Sequence, residues 1–255
     1  MTEQRVHIEP NERVTFRIHR DDDQVLVVEK NAGVVSTPGI GHEHDTLLNG
    51  LMAAYGPRLR QLGAARDHGM LHRLDRETSG LLIVALTPTA YDTLRAGFEA
   101  RRIKKFYWAL THKAPREHEG VIRRSLTDHV RRTSRYTSVR TSRVGKNGKP
   151  ALTAYRVLGE SALAALIEAR PVTGRLHQVR VHLASIGAAV LGDDQYGPNI
   201  VRDAAPRLAL HAHRLAFEHP GTGEMIDVRT RFPKDLRGTL RKMHLDRPDG
   251  EPSPS

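Results

Sequence analysis

His72-Arg73-Leu74-Asp75-Arg76-Glu77-Thr78-Ser79-Gly80 runs straight into Leu81-Leu82-Ile83-Val84-Ala85-Leu86, so a stretch dense in ionisable groups empties into an unbroken apolar run. An apolar run this short, without alternation, reads as a strand buried on both faces. The polar stretch before it is then a loop delivered to the end of a buried strand, a common place for a functional site. Asp75 sits between Arg73 and Arg76, and nearby cations favour the charged carboxylate. At an effective dielectric of about 20, one such contact at about 4 Å contributes roughly 4 kcal/mol of Coulomb energy. An ionised carboxylate is what a carboxylate nucleophile requires. The same residues would also serve as a capping loop with surface ion pairs, and the local physics does not choose between the two.

Outward from this stretch, strands and helices mix without strict alternation. Gln24 to Lys30 is a valine-rich strand, and Asn31-Ala-Gly33 turns the chain. Leu47, Leu48, Leu51, Met52 and Tyr55 recur at helical spacing, with Asp45 placed to cap the helix and Gly56 to end it. Thr87-Pro88 opens a second helix, expected to reach about Arg101. Lys105 to Thr111 reads as a strand, as do Ala151 to Leu158 and Ala164 to Pro171. Leu208 to His219 and Glu224 to Phe232 form a hairpin across Pro220-Gly-Thr-Gly223. Residues 113–150 are polar, with Arg123, Arg124, Arg131, Arg132, Arg135, Arg140 and Arg143 crowded among short strands and turns. The pattern predicts an α+β fold rather than a doubly wound sheet.

The chain of 255 residues carries 40 Lys and Arg against 29 Asp and Glu, a net charge of +11. A soluble protein this basic usually meets a polyanion, nucleic acid first and an acidic membrane surface second. Cysteine is absent, which excludes disulfides, Cys-ligated zinc, iron–sulfur clusters and thiol catalysis. The 15 histidines are scattered, and no pair has the spacing of a helical zinc site. His211 and His213 would share one strand face. No GxGxxG or GxxxxGK[ST] cradle occurs, and no zinc-finger, RRM or KH signature. The longest apolar run is too short to cross a bilayer, so a cytoplasmic protein without membrane association is expected, with monomer as the default state.

A second cluster lies at Thr173-Gly174-Arg175-Leu176-His177-Gln178-Val179-Arg180-Val181-His182. The segment reads as the start of a helix with Leu176, Val179, Leu183 and Ile186 on one side. On such a helix Arg180 follows His177 by one turn and shares its face. Taken singly, this is an amphipathic helix with a solvated basic face.

Together these segments resemble the RluA-type pseudouridine synthases, which modify ribosomal and transfer RNA. HRLDRETSG, with Asp75, is similar to the family's HRLDxxTSG. Lys105-Phe106-Tyr107 resembles its KxY element, with Tyr107 lying 32 residues after Asp75. Residues 173–182 resemble TGRxHQxRVH, and Gly192-Asp193 with Tyr196-Gly197 resembles GDxxYG. Asp22 to Gly33 resembles the DDxxLVVxKPAG opening, and Leu208 to Leu215 a closing strand. The likeness runs from about residue 14 to 236 with every segment in order. Asn31 stands where the family usually has Pro, and Leu176 replaces a polar residue, neither at a position tied to the chemistry.

The resemblance implies the pseudouridine synthase fold, a central mixed and mostly antiparallel sheet divided by an RNA-binding cleft. It implies a catalytic domain over residues 14–240, while residues 1–13 read by themselves as a loose N-terminal arm and 241–255, polar and proline-rich toward the end, as a flexible tail. It implies an RNA isomerase that breaks the N1–C1′ bond of uridine and rejoins the base through C5. Asp75 would be the nucleophile, Tyr107 would stack on the uracil and help remove the C5 proton, and Arg180 would pair with Asp75. His72, Arg73, Arg76, Thr78, Lys105, Arg175 and His177 would bind substrate. The partner would be structured RNA, ribosomal or transfer, with no cofactor and no metal. Two rivals remain: a module that docks RNA without turning it over, and a hydrolase of small nucleosides. Loss of product on Asp75→Ala separates the enzyme from the first, and turnover of free uridine would favour the second.

Overall fold

The computed structural model describes residues 8–132 and 138–248. Arg135 lies outside these residues, as do residues 1–7 of the arm, 249–255 of the tail and the side chains of Arg131 and Arg132. The chain divides into two compact units, one of residues up to Lys104 together with Arg214–Thr230, the other of Lys105–His213 together with residues from Arg231 on.

In the first unit, β1 (Phe16–Asp21), β2 (Val25–Lys30) and β3 (Ser79–Ala85) pair antiparallel in that order. Every residue of β3 is buried, as its unbroken apolar run requires. Gly80, the second residue of the strand, sits at φ +123°, a conformation that a side chain would resist, which explains the glycine that ends HRLDRETSG. Helix α1 (Leu47–Leu62) presents Leu47, Leu48, Leu51, Met52, Leu59 and Leu62 to the interior. Its cap differs from expectation. Thr46, not Asp45, accepts from the Asn49 N–H, and Asn49 returns the bond to the Thr46 N–H at 3.1 Å. Asp45 pairs with His42 instead, at 2.9 Å. Nor does Gly56 end the helix. The chain kinks at Tyr55 and continues through Pro57, because Leu59 and Leu62 resume the buried stripe beyond it. Helix α2 (Pro88–Glu99) packs on β3 and starts at Thr87 as expected, ending two residues earlier than predicted.

In the second unit, β4 (Lys104–Thr111) pairs with β9 (Ala165–Pro171), β9 with β8 (Leu152–Glu160) and β8 with β5 (Glu119–Arg123), all antiparallel. The Arg-rich region forms β5 and a separate antiparallel hairpin, β6 (Leu126–Arg132) with β7 (Ser138–Val144). Helix α3 (Gln178–Ser185) follows. Strand β10 (Leu210–Glu218) begins in the second unit and ends in the first, where it pairs antiparallel with β11 (Met225–Arg229). Helix α4 (Arg237–Lys242) carries structure past residue 240, and Met243 and Leu245 beyond it are buried. Pairings within each unit are antiparallel and helices are interspersed, the α+β class expected. No described helix is long and apolar enough to cross a membrane.

Candidate active site

Asp75 opens a tight turn closed by the Thr78 N–H donating to its carbonyl at 3.1 Å. The residues on either side of it are tied to the loop after β2. The Ser36 hydroxyl donates to the Leu74 carbonyl at 2.8 Å and accepts from the Leu74 N–H at 3.0 Å. On the other side, the Arg76 carbonyl accepts from the Gly33 N–H at 2.9 Å and from Lys30 Nζ at 3.0 Å. Lys30 is fully buried and also donates to the carbonyls of Asn31 and Val34. A buried ammonium has lost its water, and these carbonyl dipoles replace it. The half-buried carboxylate of Asp75 is therefore carried on a backbone pinned both before and after it.

The neighbours of Asp75 separate into two kinds. Arg73 and Arg76 are exposed, Arg76 lying against Glu77 at 2.7 Å. His72 is turned inward. Its Nε2 accepts from the Ile83 N–H at 3.1 Å, which an imidazolium could not do, and its ring lies 5.1 Å from that of Phe98. Thr78 is buried, and its hydroxyl has no hydrogen-bond partner among the described residues.

In the second unit, alternation along β4 puts Lys105 and Tyr107 on one face and Phe106 and Trp108 on the other. Trp108 stacks on His213 with centroids 3.9 Å apart and planes 4° apart, and lies 6.1 Å from His211. The two histidines do share a strand face, and that face meets an indole. Tyr107 is buried, paired in register with Ala169 of β9. Burial pushes the Lys105 ammonium down to about 8. Lys105 Nζ lies 3.9 Å from where a side chain on Gly174 would begin, which brings the KxY and TGR segments together.

The segment 173–182 is built around its polar side chains. Gln178 accepts from the Thr173 hydroxyl at 2.7 Å and the Arg175 N–H at 3.1 Å, and donates to Leu152 and Thr153. Thr153 in turn donates to His182 Nδ1, and His182 Nε2 donates to the Arg124 carbonyl, each at 2.9 Å. That wiring holds a neutral imidazole, and burial lowers its pKa in the same sense. The helix starts later than predicted. His177 is left-handed at φ 51°, so it precedes α3 and does not share a helical face with Arg180. Its Nδ1 meets the Tyr196 hydroxyl at 2.8 Å, and that hydroxyl also accepts from the Ser142 N–H. Arg175 is exposed, its Nε on the Pro150 carbonyl at 3.3 Å.

Arg180 is buried, its fork engaging Asp193 through Nε to Oδ2 and Nη2 to Oδ1, each at 2.8 Å. Its guanidinium carbon lies 5.0 Å from the Tyr196 ring centroid. In the sequence Asp193 and Tyr196 stand out only as parts of GDxxYG. Their spacing in that motif was the available signal, since Asp193 Oδ1 also accepts from the Gln195 and Tyr196 N–H groups and so builds the turn that holds both.

These pieces define a class. A family profile described as RNA pseudouridylate synthase matches residues 24–185, from β2 through α3. The chain belongs to the RNA pseudouridylate synthase family. Among its relatives is the ribosomal large subunit pseudouridine synthase D of Nitrosomonas europaea, 37% identical over 237 residues, covering 90% of this chain and 66% of that one. The protein of the same name from Zymomonas mobilis is 36% identical over 242 residues, covering 91% of this chain and 73% of that one. The chain thus spans roughly two thirds of these relatives' length. Among solved structures, human RNA pseudouridylate synthase domain containing 1 superposes with a TM-score of 0.64 at 26% identity, covering 97% of this chain and all of that one. Human RNA pseudouridylate synthase domain containing 4 gives a TM-score of 0.69 at 24% identity over 91% of this chain and 94% of that one, a likeness of fold.

Proposed function

We propose that this protein isomerises uridine to pseudouridine in ribosomal RNA, with Asp75 as the nucleophile. The observation that carries the reading is the double tether of the Asp75 loop, with the Leu74 backbone held by Ser36 and the Arg76 carbonyl by Lys30 and Gly33. A surface capping loop has no use for a fully buried lysine spent on its backbone. A nucleophile gains from a fixed backbone, because displacement of a reacting atom by about 1 Å is costly in rate. The names of the two bacterial relatives point to large-subunit ribosomal RNA.

In this reading the N1–C1′ bond breaks, the base turns, C5 bonds to C1′, C5 loses its proton and N1 gains one. Atoms and electrons balance without a donor or a cofactor. Whether Asp75 first meets C1′, meets the base, or assists a glycal route, its charge has to be held at one place. Arg180, aimed by Asp193, engages that charge. Tyr107 stacks on the uracil and helps take the C5 proton, with Lys105 beside it. A target within structured RNA is flipped out, at a cost of a few kcal/mol. Arg73, Arg76 and Arg175 take its phosphates, while His72 and His177, already bonded to Ile83 and Tyr196, hold the loops in place.

The test is a pseudouridine map of total cellular RNA with and without the gene, rescued by wild type or by Asp75→Ala. One or a few sites should vanish and return only with wild type. Sites restored by Asp75→Ala would rule out Asp75 as nucleophile, and an unchanged map would point to a binding module.

A further inference from the structure

We propose that a hollow in the second unit is the seat for an unstacked guanine of the bound RNA, read by Asp128. The inference rests on the reading that this chain acts on RNA and adds a base-specific contact to it. The hollow has a volume of about 320 Å³ and lies between the start of β6, the turn after β7 and the Gly174–Leu176 segment. That size is at the low end of small-ligand pockets, about 300–1,000 Å³.

The walls are preformed. Leu126 and Lys149 exchange backbone hydrogen bonds at 3.0 and 2.8 Å. Gly148 lies so close to Leu126 that a side chain would begin 2.5 Å from its carbonyl carbon, so the turn closes only with glycine there. Leu126 itself is buried against Ala151 and Val181, which fixes the floor. Arg175 is pinned at the rim by Pro150. The hollow also adjoins the proposed chemistry, because a side chain on Gly174 in its wall would begin 3.9 Å from Lys105 Nζ.

The lining chooses the ligand. Leu176, partly exposed in the wall, offers apolar surface for a base face. Asp128 is an acceptor only. Its carboxylate, on the hairpin beside Arg140 at 3.5 Å, disfavours a phosphate inside the hollow. Bases splayed from single strands are read on their Watson–Crick edges. Guanine alone presents two adjacent donors there, N1–H and N2–H, which match the two oxygens of a carboxylate. Adenine, cytosine and uracil each place an acceptor beside the donor, which a carboxylate repels. Lys149 supplies the donor for guanine O6, and Arg175 at the rim meets the phosphate.

The probe is a pool of stem-loop RNAs with randomised loops, read both for pseudouridine formed and for RNA retained by the protein. Wild type should favour guanine at one fixed offset from the modified uridine by at least about fivefold, the lower end of what a bidentate contact discriminates. Asp128→Asn should melt like wild type, lose that preference and keep its turnover on loops lacking guanine. Pseudouridine formed without a guanine preference, or with one that survives Asp128→Asn, overturns the seat and leaves the activity standing. An Asp128-dependent guanine among RNAs retained by a wild-type protein that forms no pseudouridine supports the seat and removes the activity. Retained RNAs without that guanine overturn it.

Discussion

At the residue scale, Lys105 carries the clearest chemical consequence. Its folded pKa of about 8 lies below its ordinary value of 10.5, because burial penalises the charged form. Between these values the unfolded chain holds the extra proton, so this residue's contribution to stability grows as pH rises from 8 toward 10.5 and is at its constant minimum below 8. Its attraction for phosphate runs the other way, being full below 8 and lost above. RNA affinity at fixed ionic strength should therefore fall severalfold between pH 7 and pH 9, and the fall should flatten in Lys105→Arg. Binding curves across that range check this, and an unchanged pH profile in the variant would remove Lys105 from the RNA contact. Asp75 shows a different limit of residue-scale reading. Its flanking arginines are exposed, and the groups that fix its backbone, Ser36 and Lys30, come from far back in the chain.

At the scale of elements, α3 and the GDxxYG turn form one device. Arg180 on the helix and Asp193 on the turn are both buried, and neither charge is tolerable there without the other. Asp193→Ala should cost about 3–5 kcal/mol of stability, the usual penalty for orphaning a buried ion. Urea unfolding measures it. Replacing both partners by apolar residues, Arg180→Met with Asp193→Leu, should recover most of that stability and none of the pseudouridine formation. A double variant that stays active would reduce the pair to packing. The helix itself begins late because His177 leaves the helical path to reach Tyr196, so the segment that reads as one amphipathic helix is half loop.

At the scale of the whole molecule, the excess of 11 positive charges favours a polyanionic partner. Exposed arginines on the β5–β7 region, among them Arg123, Arg124, Arg140 and Arg143, contribute to it. Contacts with phosphate release counterions, so affinity for structured RNA should drop about tenfold or more between 50 and 200 mM KCl. A filter-binding titration gives the slope. Affinity that barely changes would mean that these arginines are a solvated face.

Much of the fold was legible because it is written in short periods. The unbroken run after Gly80 reads as a strand buried on both faces, Thr87-Pro88 as the opening of a helix, and Lys105 to Thr111 as a strand. The ordered motifs likewise carried the family and the candidates for its chemistry. What local pattern could not carry was partnership across the chain. Whether Gly56 stops α1 depends on what Leu59 and Leu62 find to pack against. Whether His177 is helical depends on Tyr196. Which carboxylate neutralises Arg180 within its own unit is decided by the turn at Asp193. The full burial of Lys30 is offset by carbonyls that only the folded loops bring together. Periodicity is a property of neighbouring residues, whereas a buried charge is stable only beside groups that distant segments deliver. The sequence by itself therefore determined the elements and the family, and only the tertiary structure decided which polar groups meet.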